Sequence, residues 1–198
     1  MTIGPPSVSA TKTGPVSYTV SYNGANSITL QPSDITLNTT GTANGTIGVV
    51  GTGITPRTVT ISSITGTGTL SMSIASGTAS DLAGNLAPVA GPSMKIRIGT
   101  PPAPTLISPK GPIVTSTPEY SWNAVEGADS YMLWLGDSLG IGLKSVRVTA
   151  TEAGCPSGAG TCSFSPDWPL DHGKYYWKVN GINTAGAGPW STRMSFTY

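Results

Sequence analysis

Apolar and polar residues alternate in short runs along most of this chain. In the run at 16–22, Val16, Tyr18, Val20 and Tyr22 fall on one face, with Ser17, Thr19 and Ser21 on the other. The same period of two groups Val59 with Ile61, Leu70 with Met72 and Ile74, and Met94 with Ile96 and Ile98. Further short runs lie at 27–30, 35–37 and 46–50. Side chains two apart share a face only in an extended chain, so the pattern predicts antiparallel strands with one buried side. Asn23-Gly24 and the glycines at 51–53 and 66–68 supply turns between them. No helical period survives three turns. About seven short strands in roughly 100 residues describe a β-sandwich.

The second half repeats the period with different side chains. Strands are expected at 117–125, 130–137 and 144–150. Beyond them Tyr175, Trp177, Val179 and Gly181 share one face, Asn183 starts a turn, and residues 184–188 offer the glycines of a hairpin tip. The returning strand places Met194 with Phe196. All five tryptophans, both phenylalanines, both cysteines and the one histidine lie after residue 117, whereas the first hundred residues hold only Tyr18 and Tyr22 as aromatics. Between the halves runs the proline-rich stretch 99–109, which predicts an extended, semi-rigid connector. The fold class expected is all-β: two tandem antiparallel sandwiches, residues 1–100 and 101–198, each near a common domain size.

Two resemblances follow from particular stretches. Residues 57–85, RTVTISSITGTGTLSMSIASGTASDLAGN, place a strand, a glycine-rich turn, a second strand and an Asp-x-Ala-Gly-Asn hairpin in succession. On that basis residues 3–100 resemble the bacterial immunoglobulin-like repeats of large surface proteins, which implies a spacer strung in tandem with neighbouring repeats. Residues 173–191, GKYYWKVNGINTAGAGPWS, resemble strand F, the F–G turn and strand G of a fibronectin type III module. Within that resemblance, which covers 101–198, Trp122 matches the tryptophan of strand B, Tyr131 the tyrosine of strand C and Leu170 the leucine before strand F. The family's integrin-binding Arg-Gly-Asp does not occur here, so adhesion by that route is not implied. The segment between Cys155 and Cys162 departs from the family pattern.

Composition narrows the function classes. Net charge is +1 and only 10% of residues are charged, a balance that offers no footprint for nucleic acid or an anionic membrane. No apolar run approaches the roughly 20 residues that span a bilayer. Residues 1–6 have neither the basic nor the apolar region of a signal peptide, and Met1 reads as the start of an excised fragment. Cys155 and Cys162 bracket Pro-Ser-Gly-Ala-Gly-Thr, which favours a local disulfide and an oxidising compartment. A free or metal-bound pair is the alternative, although two cysteines and a distant histidine make a poor zinc site.

Catalytic chemistry finds little footing. His172 follows Asp171, and neighbours on a turn do not face each other as a base and its orienting acid must. Asp167 and Asp171 bracket a Pro-Leu turn, and the nine acids are scattered without the cleft that paired carboxylates need. Asp81 and Asn85 are a weak calcium candidate, because the same residues in Asp-x-x-Gly-Asn serve a hairpin turn by bonding the backbone. Threonines at 58, 60, 65, 67 and 69 are too few in register for a water-ordering surface and read as a solvated face.

One constellation stands out. If Tyr131, Leu133 and Leu135 point inward, Met132 and Trp134 point outward, and alternation on the later strand turns Tyr176, Lys178 and Asn180 the same way. Met132, Trp134, Tyr176 and Lys178 then form an exposed strip suited to stacking on a sugar or meeting another protein. The alternatives are that the 155–162 loop covers Trp134 or that it packs beneath Trp190. The functional expectation is a non-catalytic extracellular structural or spacer fragment of a bacterial surface or secreted adhesin-like protein. The competing class is a carbohydrate- or protein-binding module, possible accessory to a polysaccharide-degrading enzyme. No cofactor beyond the calcium candidate is expected, and no nucleic acid or membrane insertion.

Overall fold

The alternating run Val16–Ser21 is a strand, and its Val16, Tyr18 and Val20 are fully buried. The computed structural model describes residues 1–198, in two compact units, Met1–Gly99 and Thr100–Tyr198.

The first unit contains β1 (Thr2–Ile3), β2 (Ala10–Thr11), β3 (Val16–Ser21), β4 (Ser27–Ile28), β5 (Ile35–Thr39), β6 (Asn44–Val50), β7 (Arg57–Thr65), β8 (Gly68–Ile74), β9 (Ala79–Ser80) and β10 (Ile96–Ile98). They form two four-stranded sheets, ordered β1-β3-β7-β6 and β2-β10-β8-β5, with a short β4-β9 ribbon. This is the strand order of a constant-type immunoglobulin sandwich, with the N-terminal segment divided between the sheets. The core is aliphatic: Val59, Ile61, Leu70, Met72, Ile74, Ile96 and Ile98 surround Tyr18.

Three details differ from the alternation. Met94 is 65% exposed, because β10 begins only at Ile96. The turn at 66–67 does not fold β7 and β8 into a hairpin but carries the chain from one sheet to the other. In β7 the inward series runs Val59, Ile61 and then Ile64, because Ser63 adopts φ 50° where the pairing with β6 slips. One extra residue in a strand shifts every later side chain to the opposite face.

The second unit contains β11 (Leu106–Ser108), β12 (Gly111–Pro112), β13 (Tyr120–Asn123), β14 (Ser130–Gly136), β15 (Gly142–Thr149), β16 (Thr161–Phe164), β17 (Lys174–Asn183), β18 (Gly186–Ala187) and β19 (Met194–Thr197). One sheet is β11-β13-β16, and the other is β12-β19-β17-β14-β15 with β18 paired to β17. Aromatics fill the space between them. Trp122 packs edge-on to Tyr131 at 5.3 Å, and Tyr120 meets Trp177 at 5.1 Å. Burial pushes the Tyr120 phenol well above its ordinary pKa. The Trp177 indole donates to the Pro109 carbonyl at 2.9 Å, the kind of partner a buried indole N–H usually finds. Leu170 is half-buried against this core.

The pairing is antiparallel except at two places. β2 runs parallel to β10, and β12 runs parallel to β19. The hairpin after β17 is tighter than the glycines suggested: Asn183 pairs with Gly186 around Thr184-Ala185, and of the glycines at 186 and 188 only Gly186 takes a positive φ.

Candidate functional site

Register fixes which side chains meet on the outer face of the larger sheet in the second unit. Trp134 on β14 lies opposite Lys178 on β17, Met132 opposite Asn180, and Gly136 opposite Tyr176. On the other side Trp134 faces Ser145, and Met132 faces Arg147 of β15. Met132, Trp134, Tyr176 and Lys178 therefore do share this face, and all four are half-buried.

Their exposure is limited by one another. The Lys178 ammonium sits 4.8 Å from the Trp134 ring and 4.4 Å from that of Trp190, a cation held between two indoles. Tyr176 is flanked by the Lys174 ammonium at 5.3 Å and the Arg193 guanidinium at 5.6 Å. Such contacts contribute about 0.5–1 kcal/mol each at exposed sites. Two residues without side chains lie against the Trp134 ring. A Cβ at Gly142 would lie 2.9 Å from the indole Nε1, and one at Gly136 would collide with the same ring. The two glycines form a shelf against which the indole packs.

Neither cover proposed from sequence describes Trp134 fully. The 155–162 loop is tied to the opposite sheet: Cys162 on β16 pairs with Trp122 of β13, and Ser163 bonds back to Ala153. Cys155 and Cys162 form a disulfide with Cα atoms 5.1 Å apart, and both are buried in the aromatic core. Trp190 does approach, with Lys178 between the two rings. Asn180 faces outward by register yet is only 5% exposed, its amide donating to the Gly188 carbonyl at 3.1 Å.

Asp81 and Asn85 do come together, as a turn. Oδ1 of Asp81 accepts from the Ala83 and Asn85 amides, and Oδ2 accepts from the Asn85 side chain at 2.8 Å. Those bonds, the side-chain one foremost, hold the Asp81 carboxyl below its ordinary pKa. Asp137 repeats the arrangement after β14, accepting from the Leu139 and Ile141 amides ahead of Gly140 at φ 82°. An Asp-x-x-Gly turn explains both carboxylates, and no group of three His, Cys, Asp or Glu side chains gathers as a metal site. His172 stacks on Tyr198 at 4.5 Å, away from any nucleophile-base pair.

Sequence reading missed the rest of the cation set on the outer face: Lys174, Arg193 and Arg147. The signal for Lys174 was present, since it alternates with Tyr176 and Lys178 on one strand. Arg57 was also missed. It is 5% exposed, and its guanidinium donates to the carbonyls of Ile28, Thr52, Gly53 and Thr55.

No protein-family model matches the chain, and no curated protein matches it. Solved structures similar to it include the FN1–FN3 domains of chicken CNTN1 (17% identity, 98% of this chain and 64% of that one, TM-score 0.37). The human OSCAR ligand-binding domain is similar at 12% identity over 97% of this chain and 95% of that one, with a TM-score of 0.49. InvD of Yersinia pseudotuberculosis is similar at 15% identity over 98% and 56%, with a TM-score of 0.42. A BSP domain of a biofilm associated protein is covered over only 29% of its length. The chain thus spans under two thirds of several of these proteins. At this level of likeness the fold rests on the strand orders given above.

Proposed function

We propose that the chain is a pair of non-catalytic spacer modules from an extracellular or cell-surface protein. The observation that carries this reading is the parallel pairing, in each unit, of the second strand with the last. β2 meets β10 through Arg97 N–H to Ser9 O at 2.9 Å and Gly99 N–H to Thr11 O at 2.8 Å. β12 meets β19 with Ile113 N–H to Thr197 O at 2.8 Å. The chain enters the second strand and leaves the last at opposite ends of each parallel pair, so tension along it shears their hydrogen bonds together instead of opening them singly. The buried disulfide supports an oxidising location. The carbohydrate-stacking alternative loses support from the outer face, where Trp134, Tyr176 and Trp190 each already carry a lysine or arginine.

Single-molecule pulling on the whole chain tests the spacer reading. Two separate force peaks are expected, each releasing about 30 nm of chain. Extension of both units without a peak would overturn it. Retention on neutral glycans that Trp134→Ala abolishes would favour the binding-module class instead.

A further inference from the structure

Charge is segregated in the second unit in a way that overall composition conceals. Its strands and loops hold six Lys and Arg against seven Asp and Glu. Four of the six cations, Arg147, Lys174, Lys178 and Arg193, lie on the outer face of the larger sheet. None of the seven carboxylates lies in any strand of that sheet. Three of the cations are held against rings, and Arg147 donates through Nε to Ser130 at 2.9 Å. Their known partners are therefore neutral groups, which position the charge without cancelling it. Fixing a long side chain before binding lowers the entropy lost when a ligand arrives.

We infer that this face is a docking surface for a linear acidic polysaccharide, whose carboxylate or sulfate groups meet the four cations. The inference goes beyond the spacer reading and does not depend on it. Four residues along β17 separate Lys174 from Lys178, about 13 Å at the usual strand rise. A small anion reaches one such charge, whereas an extended polyanion reaches several. Single-stranded nucleic acid adds bases stacked on free rings to its electrostatic attraction, and here the Lys178 ammonium lies over the Trp134 ring, which packs against Gly136 and Gly142. A peptide bound by strand addition reads a sheet edge, but this charge lies on the face. A flexible chain with charge distributed along it needs neither a free ring nor an edge.

Biolayer interferometry of the whole chain over immobilised alginate, dextran sulfate, neutral dextran, poly-glutamate and single-stranded DNA tests the inference. Binding to alginate or dextran sulfate is expected, with none to neutral dextran and a marked loss as salt rises. The alginate and dextran sulfate arms separate carboxylate from sulfate recognition. Arg147→Ser with Lys174→Ser should weaken that binding about tenfold or more. Lys12→Ser with Lys95→Ser removes equal charge from exposed positions of the first unit and should leave it unchanged. Circular dichroism confirms that both double variants fold. No binding to either polysaccharide at low salt overturns the inference, as does equal loss in the two double variants. Tighter binding to poly-glutamate or DNA than to both polysaccharides overturns the assignment of partner. None of these results bears on the pulling experiment, so the spacer reading and the docking face fail separately.

Discussion

The two sandwiches bury the same alternating faces with different chemistry. The first packs Val, Ile, Leu and Met around a single fully buried tyrosine, and the second packs Trp122, Trp177, Tyr120, Tyr131 and Phe196. Their solvent faces diverge further. On the β3–β7–β6 sheet Ser17 pairs with Thr60, Thr19 with Thr58, and Thr46 with Ser62, a surface of hydroxyls. On the β17–β14–β15 sheet the corresponding surface is rings and cations. Alternation alone is enough to specify the sandwich, since both sequences satisfy it. The residues that alternation sends outward are free of that constraint, and there the two units differ: one presents hydroxyls, the other cations held against rings.

The units also secure their loops by unlike means, and the largest expected effects come from removing these. In the first unit Arg57 holds the 52–55 loop and the Ile28 carbonyl. Arg57→Leu keeps the volume but leaves four carbonyls without their charged donor, a loss of about 2–4 kcal/mol in urea unfolding followed by circular dichroism. Tryptophan emission reports only the second unit, which contains all five tryptophans, and its midpoint should not move. A loss below 1 kcal/mol would show that water replaces the guanidinium there.

In the second unit the fastener is covalent. Cys155→Ala with Cys162→Ala opens a short loop and should lower the tryptophan-detected stability by about 2–3 kcal/mol on the chain-entropy estimate. The first unit's transition should stay in place. A thiol titration of the denatured parent chain that finds two free thiols would remove the basis of this difference.

The strands were legible because period two is written into nearly every run, and the turn at Asp81 was legible as Asp-x-x-Gly. The shift at Ser63 was not, since a serine gives no local sign of positive φ and Ile64 turns inward only through its partner β6. Met94 continued the alternation of Ile96 and Ile98 but had no neighbouring strand to pair with. Of the candidate face, Met132, Trp134, Tyr176 and Lys178 followed from alternation on two strands. Arg147, Arg193 and Trp190 come from other segments, and only the sheet order β19-β17-β14-β15 brings the two arginines beside them. The role of Arg57 was not legible, because its four carbonyl partners belong to a loop and to a distant strand.

The smallest effects test the outer faces themselves. Thr58→Ala removes an exposed hydroxyl and Thr60→Ala one that shares a 3.4 Å bond with Ser17, and each should stay within about 0.5 kcal/mol of the parent. Trp134→Ala loses its contact with Lys178 and uncovers Gly136 and Gly142, for about 1 kcal/mol. A double-mutant cycle with Gly142→Ala sharpens this, because the nearest atoms that a Cβ there would meet all belong to the indole of Trp134. In the parent chain the new methyl must lift the ring off its shelf, whereas beside Trp134→Ala it enters open space. The two changes should therefore couple by about 0.5–1 kcal/mol, with Gly142→Ala less harmful in the Trp134→Ala background. Additive costs would mean that the indole does not rest on the glycines in solution, and the ring-and-cation face would be as loosely solvated as the hydroxyl face opposite it in kind.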